Sequence, residues 1–409
     1  MSSVEALEFR HELIRYLASR LAFGLGPSFW SARLSPLHLT QRDAPTPHRP
    51  GWVRVRTRLA GICGTDLSLV TGQDSLALEP EATYPFIPGH EIVGTVDSPG
   101  TARLEAGQRV VVWPVLGCDP RELARCPQCT DGWDGLCEAR DGGWPDRGLA
   151  VGFNRDTGGG WAEAFQAHES QLWPIPADVS DEDAVLLDPA AASLAAVLRP
   201  EWGPGRRTLV IGGGPIGLLA AYLDRALGVS DELEIIVRHE HQAGWARSRG
   251  LDVSLIGGPT DFRDWADSRG MKPRRVQGYG HVYDGVFDRV VLAVGNRTGV
   301  RWSLNAVAPR GTVVLLAAPN HLRGVDPTRI WYREVTIRGV YDYGPVPRDG
   351  RAVHPYEVMI PMLRDGTLRF EDLVTHRFPI AEYAAAFRTL LGRRRSGALK
   401  AVFDFREDP

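Results

Sequence analysis

The hydrophobic pattern of this chain changes period near residue 180. Before that point the short segments alternate. Trp52-Val53-Arg54-Val55-Arg56-Thr57-Arg58-Leu59 sets apolar against polar residues almost one by one, as a half-exposed strand does. Gly107-Gln108-Arg109 leads into Val110-Val111-Val112, and Gly158-Gly159-Gly160-Trp161 is a turn ahead of a further strand at 162–167. From about 51 to 175, strands cut by glycine and proline predict an antiparallel, barrel-like domain. Upstream, Val4, Leu7, Ile14, Leu17 and Leu21 share one stripe at helical spacing, so residues 3–22 are expected to form a packed amphipathic helix. Pro45, Pro47, Pro50 and Gly51 then predict an extended lead-in.

After residue 180 the rhythm becomes that of a parallel sheet. Ser180-Asp181-Glu182-Asp183 caps a helix running towards Leu198, with Asp188-Pro189 as a possible interruption. Apolar strand segments at 208–211, 233–237, 289–294 and 312–317 are separated by helix-length stretches, the βαβ alternation. The alternation stops after Ile337-Arg338-Gly339, and the remainder mixes strand with a helix near 380–391. The predicted class is α/β, a β-barrel domain joined to a doubly wound parallel sheet. Arg393-Arg394-Arg395 reads as a solvated helix end.

Composition narrows this picture. With 409 residues, two domains are the expectation. A net charge of −3 points to neither nucleic acid nor an anionic membrane. No apolar run approaches the roughly 20 residues that span a bilayer, and no signal-peptide pattern opens the chain. Four of the five cysteines fall within residues 118–137, which in a reducing, cytoplasmic setting suggests metal binding before disulfides.

Leu209-Val210-Ile211-Gly212-Gly213-Gly214-Pro215-Ile216-Gly217 places G-x-G-x-x-G between a strand and a helix, the context a dinucleotide site requires. Gly212 permits the turn, Gly214 lets the backbone approach a pyrophosphate, and Gly217 brings helix against strand. With Pro215 and Ile216, the helix start then presents amides to the phosphates. The next strand ends Ile236-Val237-Arg238-His239, with a base where NAD binders carry an acid. Arg238 would pair with a 2′-phosphate, so NADP(H) is expected over NAD(H). Glu240 would be the ribose acid if that strand ran one turn longer.

Cys118, Cys126, Cys129 and Cys137 form C-x7-C-x2-C-x7-C, suited to a closed structural zinc site. A second, open zinc site is expected at Cys63 and His90, with Glu91 or Asp188 as third ligand. Asp66 is expected to accept the other N–H of His90. Two zinc ions per chain follow from these two sets.

Gly61-Ile62-Cys63-Gly64-Thr65-Asp66, Pro88-Gly89-His90-Glu91 and the nucleotide motif together resemble the zinc-dependent medium-chain dehydrogenase/reductase family, the alcohol and polyol dehydrogenases, from about Trp52 to about Phe405. The resemblance implies a GroES-like catalytic domain (1–187, with an N-terminal extension), a Rossmann domain (188–339) and a return to the first domain (340–409). It favours Asp188 as third ligand, assigns Thr65 to substrate proton transfer, and implies a homodimer or homotetramer acting on a small molecule in a cleft. The chain departs from the family pattern at the insertion after Cys118, at Ser68 where relatives carry a relay histidine, at the shorter Asp188, and in its long first fifty residues. Phe86, Trp113, Trp144, Trp161 and Tyr343 are candidate cleft aromatics. The implied reaction is hydride transfer between NADP(H) and an alcohol, carbonyl or imine. A redox-neutral lyase or cyclase with zinc as Lewis acid, or a non-catalytic nucleotide binder, are the alternative classes.

Overall fold

The structure, a computed structural model, describes residues 3–97, 100–199, 206–277, 280–318 and 324–406. It divides into two compact units, Met1–Asp188 with Tyr356–Pro409, and Pro189–Pro355.

The first unit is built on a seven-stranded sheet. Its strands run in the order Val374–Phe378, Lys400–Asp404, Trp52–Gly61, Ile92–Val96, Arg109–Val112, Leu172–Pro174, with Ala164–His168 also paired to Trp52–Gly61. The alternation read at Trp52–Leu59 follows from this central position. Val53 and Val55 are buried with Ile92, Val110, Val112, Phe165 and Leu172, while Arg56 stays in solvent. The C-terminal strand Lys400–Asp404 joins the sheet antiparallel to Trp52–Gly61, with Val402 opposite Gly61. Chain ends remote in sequence therefore share one core. Phe86 and Trp161, read as candidate cleft residues, belong to that core; Trp161 packs edge-on against Phe387 and Phe403. Asp181 and Glu182 stitch the unit together by pairing with Arg58, Arg109, Arg377 and Arg406.

The N-terminal extension departs from the expected helix over 3–22. Ser3–Phe9 is a strand, paired antiparallel with Leu37–Asp43, and the helix runs Leu13–Leu25. Strand pairing wins over helical spacing because Val4, Ala6, Leu7 and Phe9 bury against the barrel, where the Leu7 amide donates to the Trp161 carbonyl (2.9 Å).

The second unit is a six-stranded, wholly parallel sheet in the order Asp252–Leu255, Glu232–Val237, Arg207–Ile211, Phe287–Leu292, Val307–Leu315, Thr336–Gly339. This is the doubly wound order, whose ligand crevice lies at the C-terminal ends of the two central strands. Its inner strands, Arg207–Ile211, Glu232–Val237 and Phe287–Leu292, are mostly buried because helices cover both faces. A buried pair, Arg289 with Asp224 (3.0 Å), is satisfied by Thr208, Ser230 and the Val197 carbonyl. Among the described residues no helix is long and apolar enough to cross a membrane.

Candidate active site

Strand register brings Cys63, His90 and Glu91 together. The strand Trp52–Gly61 pairs antiparallel with Ile92–Val96, Ala60 opposite Ile92, and the Gly61 amide donates to the Glu91 carbonyl (2.8 Å). The end of one strand thus meets the start of the other. Cys63 follows directly as the N-cap of the helix Gly64–Val70. Gly89 adopts φ +92°, and a side-chain carbon there would lie 2.4 Å from the Trp161 ring, so only glycine allows the turn into His90.

One donor atom from each of Cys63, His90 and Glu91 lies within 4.8 Å of the other two. Asp188 is buried and acts on His90 electrostatically, but is outside that trio. Asp66 Oδ1 lies 3.8 Å from His90 Nδ1, beyond hydrogen-bonding distance; Asp66 Oδ2 instead accepts the Cys63 amide (2.8 Å). Burial would lower the His90 imidazole; Asp66, the Cys63 thiol and Asp188 outweigh it and push the group up to about 10. Burial raises the Asp66 carboxyl against the pull of His90. His90 Nδ1 and Asp66 Oδ1 are both buried without a hydrogen-bond partner. A thiol, an imidazole and a carboxylate converging with such strained electrostatics fit a divalent cation.

The Thr65 hydroxyl lies 3.7 Å from Cys63 Sγ, and Ser68 follows one helical turn later. Three further residues were not legible as site components. Lys400 Nζ pairs with Glu91 Oε2 in the interior, and Gly61 makes room, since a side-chain carbon there would lie 2.0 Å from that oxygen. Arg393, read as part of a solvated run, interacts electrostatically with Cys63, and its Nε donates to the Leu390 carbonyl (3.0 Å). Only Arg394 and Arg395 are exposed.

The four-cysteine lobe is equally compact. Cys118, Cys126, Cys129 and Cys137 have their sulfurs within 4.8 Å of one another, with Cys118 and Cys137 at 3.6 Å. A tetrahedron with metal–sulfur bonds of about 2.3 Å has edges of about 3.8 Å, so the cage fits zinc. Backbone amides of Cys129 and Glu138 overcome burial and draw the Cys126 thiol down to about 6, while burial pushes Cys137 up to about 11. Thiols this close do not all ionise unless a cation joins them. Arg121, inside the insertion, is fully buried and donates to the carbonyls of Leu116, Gly117 and Gly148.

In the second unit, Gly212–Gly217 joins the strand Arg207–Ile211 to the helix Pro215–Leu227, with Gly214 as N-cap and Pro215 and Ile216 in the first turn. A side-chain carbon on Gly217 would lie 2.0 Å from the Gly212 carbonyl oxygen, whereas one on Gly214 would meet open space. Helix therefore packs on turn while the backbone at Gly214 stays approachable. The second strand ends at Val237. Arg238 is exposed at its tip, and His239 caps the helix Glu240–Ser248. Glu240 lies in that helix and pairs with Arg247 (2.5 Å). Gln242 Oε1 accepts the amides of both Arg238 and His239 (3.1 Å each), a fixing contact with no sequence motif to announce it.

Residues 49–177 match the family described as the alcohol dehydrogenase GroES-like domain. The chain is 29% identical over 376 residues to L-galactonate-5-dehydrogenase of Escherichia coli, covering 89% of this chain and 95% of that protein. It is 29% identical over 369 residues to an L-threonine 3-dehydrogenase of Anaeromyxobacter, covering 89% and 94%. The fold is that of 2R,3R-butanediol dehydrogenase from Bacillus subtilis (TM-score 0.71, 20% identity, 98% and 100% coverage). Solved neighbours of this fold carry NADP in one case, from Sinorhizobium meliloti, and NADH in another, from E. coli. The first unit is accordingly a GroES-like domain and the second a Rossmann domain, and over about nine-tenths of its length the chain is similar to dehydrogenases of the zinc-dependent medium-chain type.

Proposed function

We propose that this enzyme interconverts a secondary alcohol and its ketone on a small polyol or hydroxy acid, with NADP(H) as the hydride carrier and two zinc ions per chain. The observation that carries the reading is the convergence of Cys63, His90 and Glu91 beside Thr65. The substrate class is supported by the relatives' named substrates, galactonate and threonine, both of which bear hydroxyl groups on an acid skeleton. Cys63, His90 and Glu91 would hold one zinc and Cys118, Cys126, Cys129 and Cys137 the other. When bound, the first zinc supplies Lewis-acid polarisation of a substrate oxygen and the nicotinamide supplies the hydride. Thr65 takes up the hydroxyl proton, and Ser68, on the same helical face, passes it on. Asp66 and Asp188 act on His90 through their charge.

Preference for NADP(H) is supported by Arg238 standing exposed where the strand ends, and by Glu240 being drawn into the following helix. Gly212, Gly214, Pro215, Ile216 and Gly217 would receive the pyrophosphate, with Arg238 and His239 near the adenosine ribose. The test is a spectrophotometric screen of polyols and hydroxy acids, and their keto forms, with both nicotinamides. Turnover with absorbance change, faster with NADP(H), is expected. Substrate conversion with no net change in nicotinamide absorbance would identify a redox-neutral reaction instead.

A further inference from the structure

The helix Leu13–Leu25 is amphipathic in the wrong sense for a lone protomer. Its inward side carries the polar anchors: Tyr16 donates to Asp74 (2.6 Å), and Ser19 donates to the Val70 carbonyl (2.7 Å) while accepting from Trp30 Nε1 (3.0 Å). Its outward side consists of Leu13, Ile14, Leu17, Leu21, Gly24 and Leu25, with no charged residue among them. The five large side chains are between 52% (Leu17) and 85% (Ile14) exposed, and Phe29 continues the surface at the C-terminal end at 63%. A helix whose leucines face water and whose hydroxyls face the core has an unfilled partner position.

The spacing says what fills it. Ile14, Leu17, Leu21 and Gly24 recur at intervals of three and four, the seam of a two-helix pair. The stripe is also self-complementary about its midpoint. Folding it onto an antiparallel copy of itself sets Leu17 against Leu21, Leu13 against Leu25, and the most exposed side chain, Ile14, against Gly24. Around Gly24 the space is open, since an added side-chain carbon would meet nothing within 4 Å. A bulky residue facing a glycine is what a two-fold axis through the Ser19 level requires. The open apolar surface, on the order of 600–700 Å² per chain, approaches the roughly 800 Å² per partner of a standard interface. A membrane surface would favour a run of basic residues beside the apolar stripe; this helix carries only Arg15, which is ion-paired with Glu12 (3.2 Å), and the partly buried Arg20.

We propose that the Leu13–Leu25 helix is a homodimerisation surface, pairing antiparallel with the same helix of a second copy of this chain. It rests only on the extension and not on the catalytic reading. Because the inward side of the helix holds Val70, the end of the helix that carries Thr65 and Ser68, the interface would brace the active-site helix of each protomer.

The test is the molar mass of the full-length protein by sedimentation velocity and light scattering. Leu17→Glu/Leu21→Glu is expected to halve the mass, as is Leu17→Lys/Leu21→Lys. Leu17→Glu/Leu21→Lys is expected to keep the mass, since residue 17 of one chain faces residue 21 of the other and each glutamate would meet a lysine. These side chains lie in solvent in the protomer, so far-UV circular dichroism should be unchanged; Leu17→Ser/Leu21→Ser gives the same reading if a charged variant does not fold. An unaltered mass in the glutamate and lysine variants overturns the proposal, and half mass in Leu17→Glu/Leu21→Lys overturns the antiparallel register. If the mass is unaltered and the native protein, but not the glutamate variant, co-sediments with phosphatidylglycerol vesicles, the surface is a lipid-docking face and the proposal is likewise overturned.

Discussion

The carboxylate of Glu91 is ion-paired in the protein interior with the ammonium group of Lys400, 309 residues further along the chain. Both side chains are almost fully buried, at 1% and 3% exposure. Such a pair contributes little over an apolar isostere, but either half alone is a stranded charge. Lys400→Met is therefore expected to destabilise by about 3–5 kcal/mol, and Glu91→Gln/Lys400→Met to recover most of that loss. Thermal unfolding of the single and double variants measures the coupling. Strictly additive losses would show that the two charges do not sense one another.

The same carboxylate is the third member of the donor trio, and this separates it from Asp188. Cys63→Ala, His90→Ala and Glu91→Gln are each expected to lower bound zinc from two to one per chain by elemental analysis. Asp188→Asn is expected to keep both ions and to slow turnover. Cys63→Ala should also leave nucleotide binding intact, because the glycine motif lies in the other unit. Asp66→Asn, which removes negative charge behind His90, is expected to weaken metal binding about 10–100-fold. Loss of one zinc in Asp188→Asn with retention in Glu91→Gln would reverse the assignment.

Arg238 is expected to decide the nicotinamide. A guanidinium on a 2′-phosphate is a charge-assisted contact of about 1.5–3 kcal/mol, or roughly 10–100-fold in kcat/KM. Arg238→Asp is expected to cost that factor with NADPH and to improve NADH, because an acid at the strand tip accepts from ribose hydroxyls. Steady-state kinetics with both cofactors give the ratio. Unchanged selectivity would place the discrimination elsewhere on the nucleotide site.

What could be read from the sequence was local chemistry. Cys63, His90 and Gly212–Gly217 lie in short motifs whose neighbours dictate their own turns, so spacing alone points to them. Lys400 and Gly61 could not be found that way, since they meet Glu91 only through the pairing of a C-terminal strand with Trp52–Gly61. The N-terminal stripe misled for a related reason. Val4 and Leu7 are buried by strand pairing, whereas Ile14, Leu17 and Leu21 face outward. Periodicity records that a face is apolar and not whether the same chain covers it. Asp66 was placed near His90 by its motif, but the Cys63 amide competes for its carboxylate, a contest only coordinates decide.

Glu182 links the discontinuous halves of the first unit and makes their association pH-dependent. It accepts from Arg377 (2.9 Å) and Arg406 (3.0 Å), both from the returning segment. Burial works to raise its carboxyl, and the two guanidinium groups outweigh that and hold it below the usual 4.5. A carboxyl depressed in the folded state contributes stability that is fully present above its unfolded value and is lost as pH falls through the folded one. Glu182→Gln is therefore expected to cost about 1 kcal/mol near neutrality, the scale of a partly exposed ion pair. The difference from the unsubstituted chain should shrink steadily as pH drops below about 4.5. Thermal unfolding of both proteins between pH 7 and pH 3 tests this. A gap that stays constant across the range would mean that the side chain acts there through packing and not through its charge.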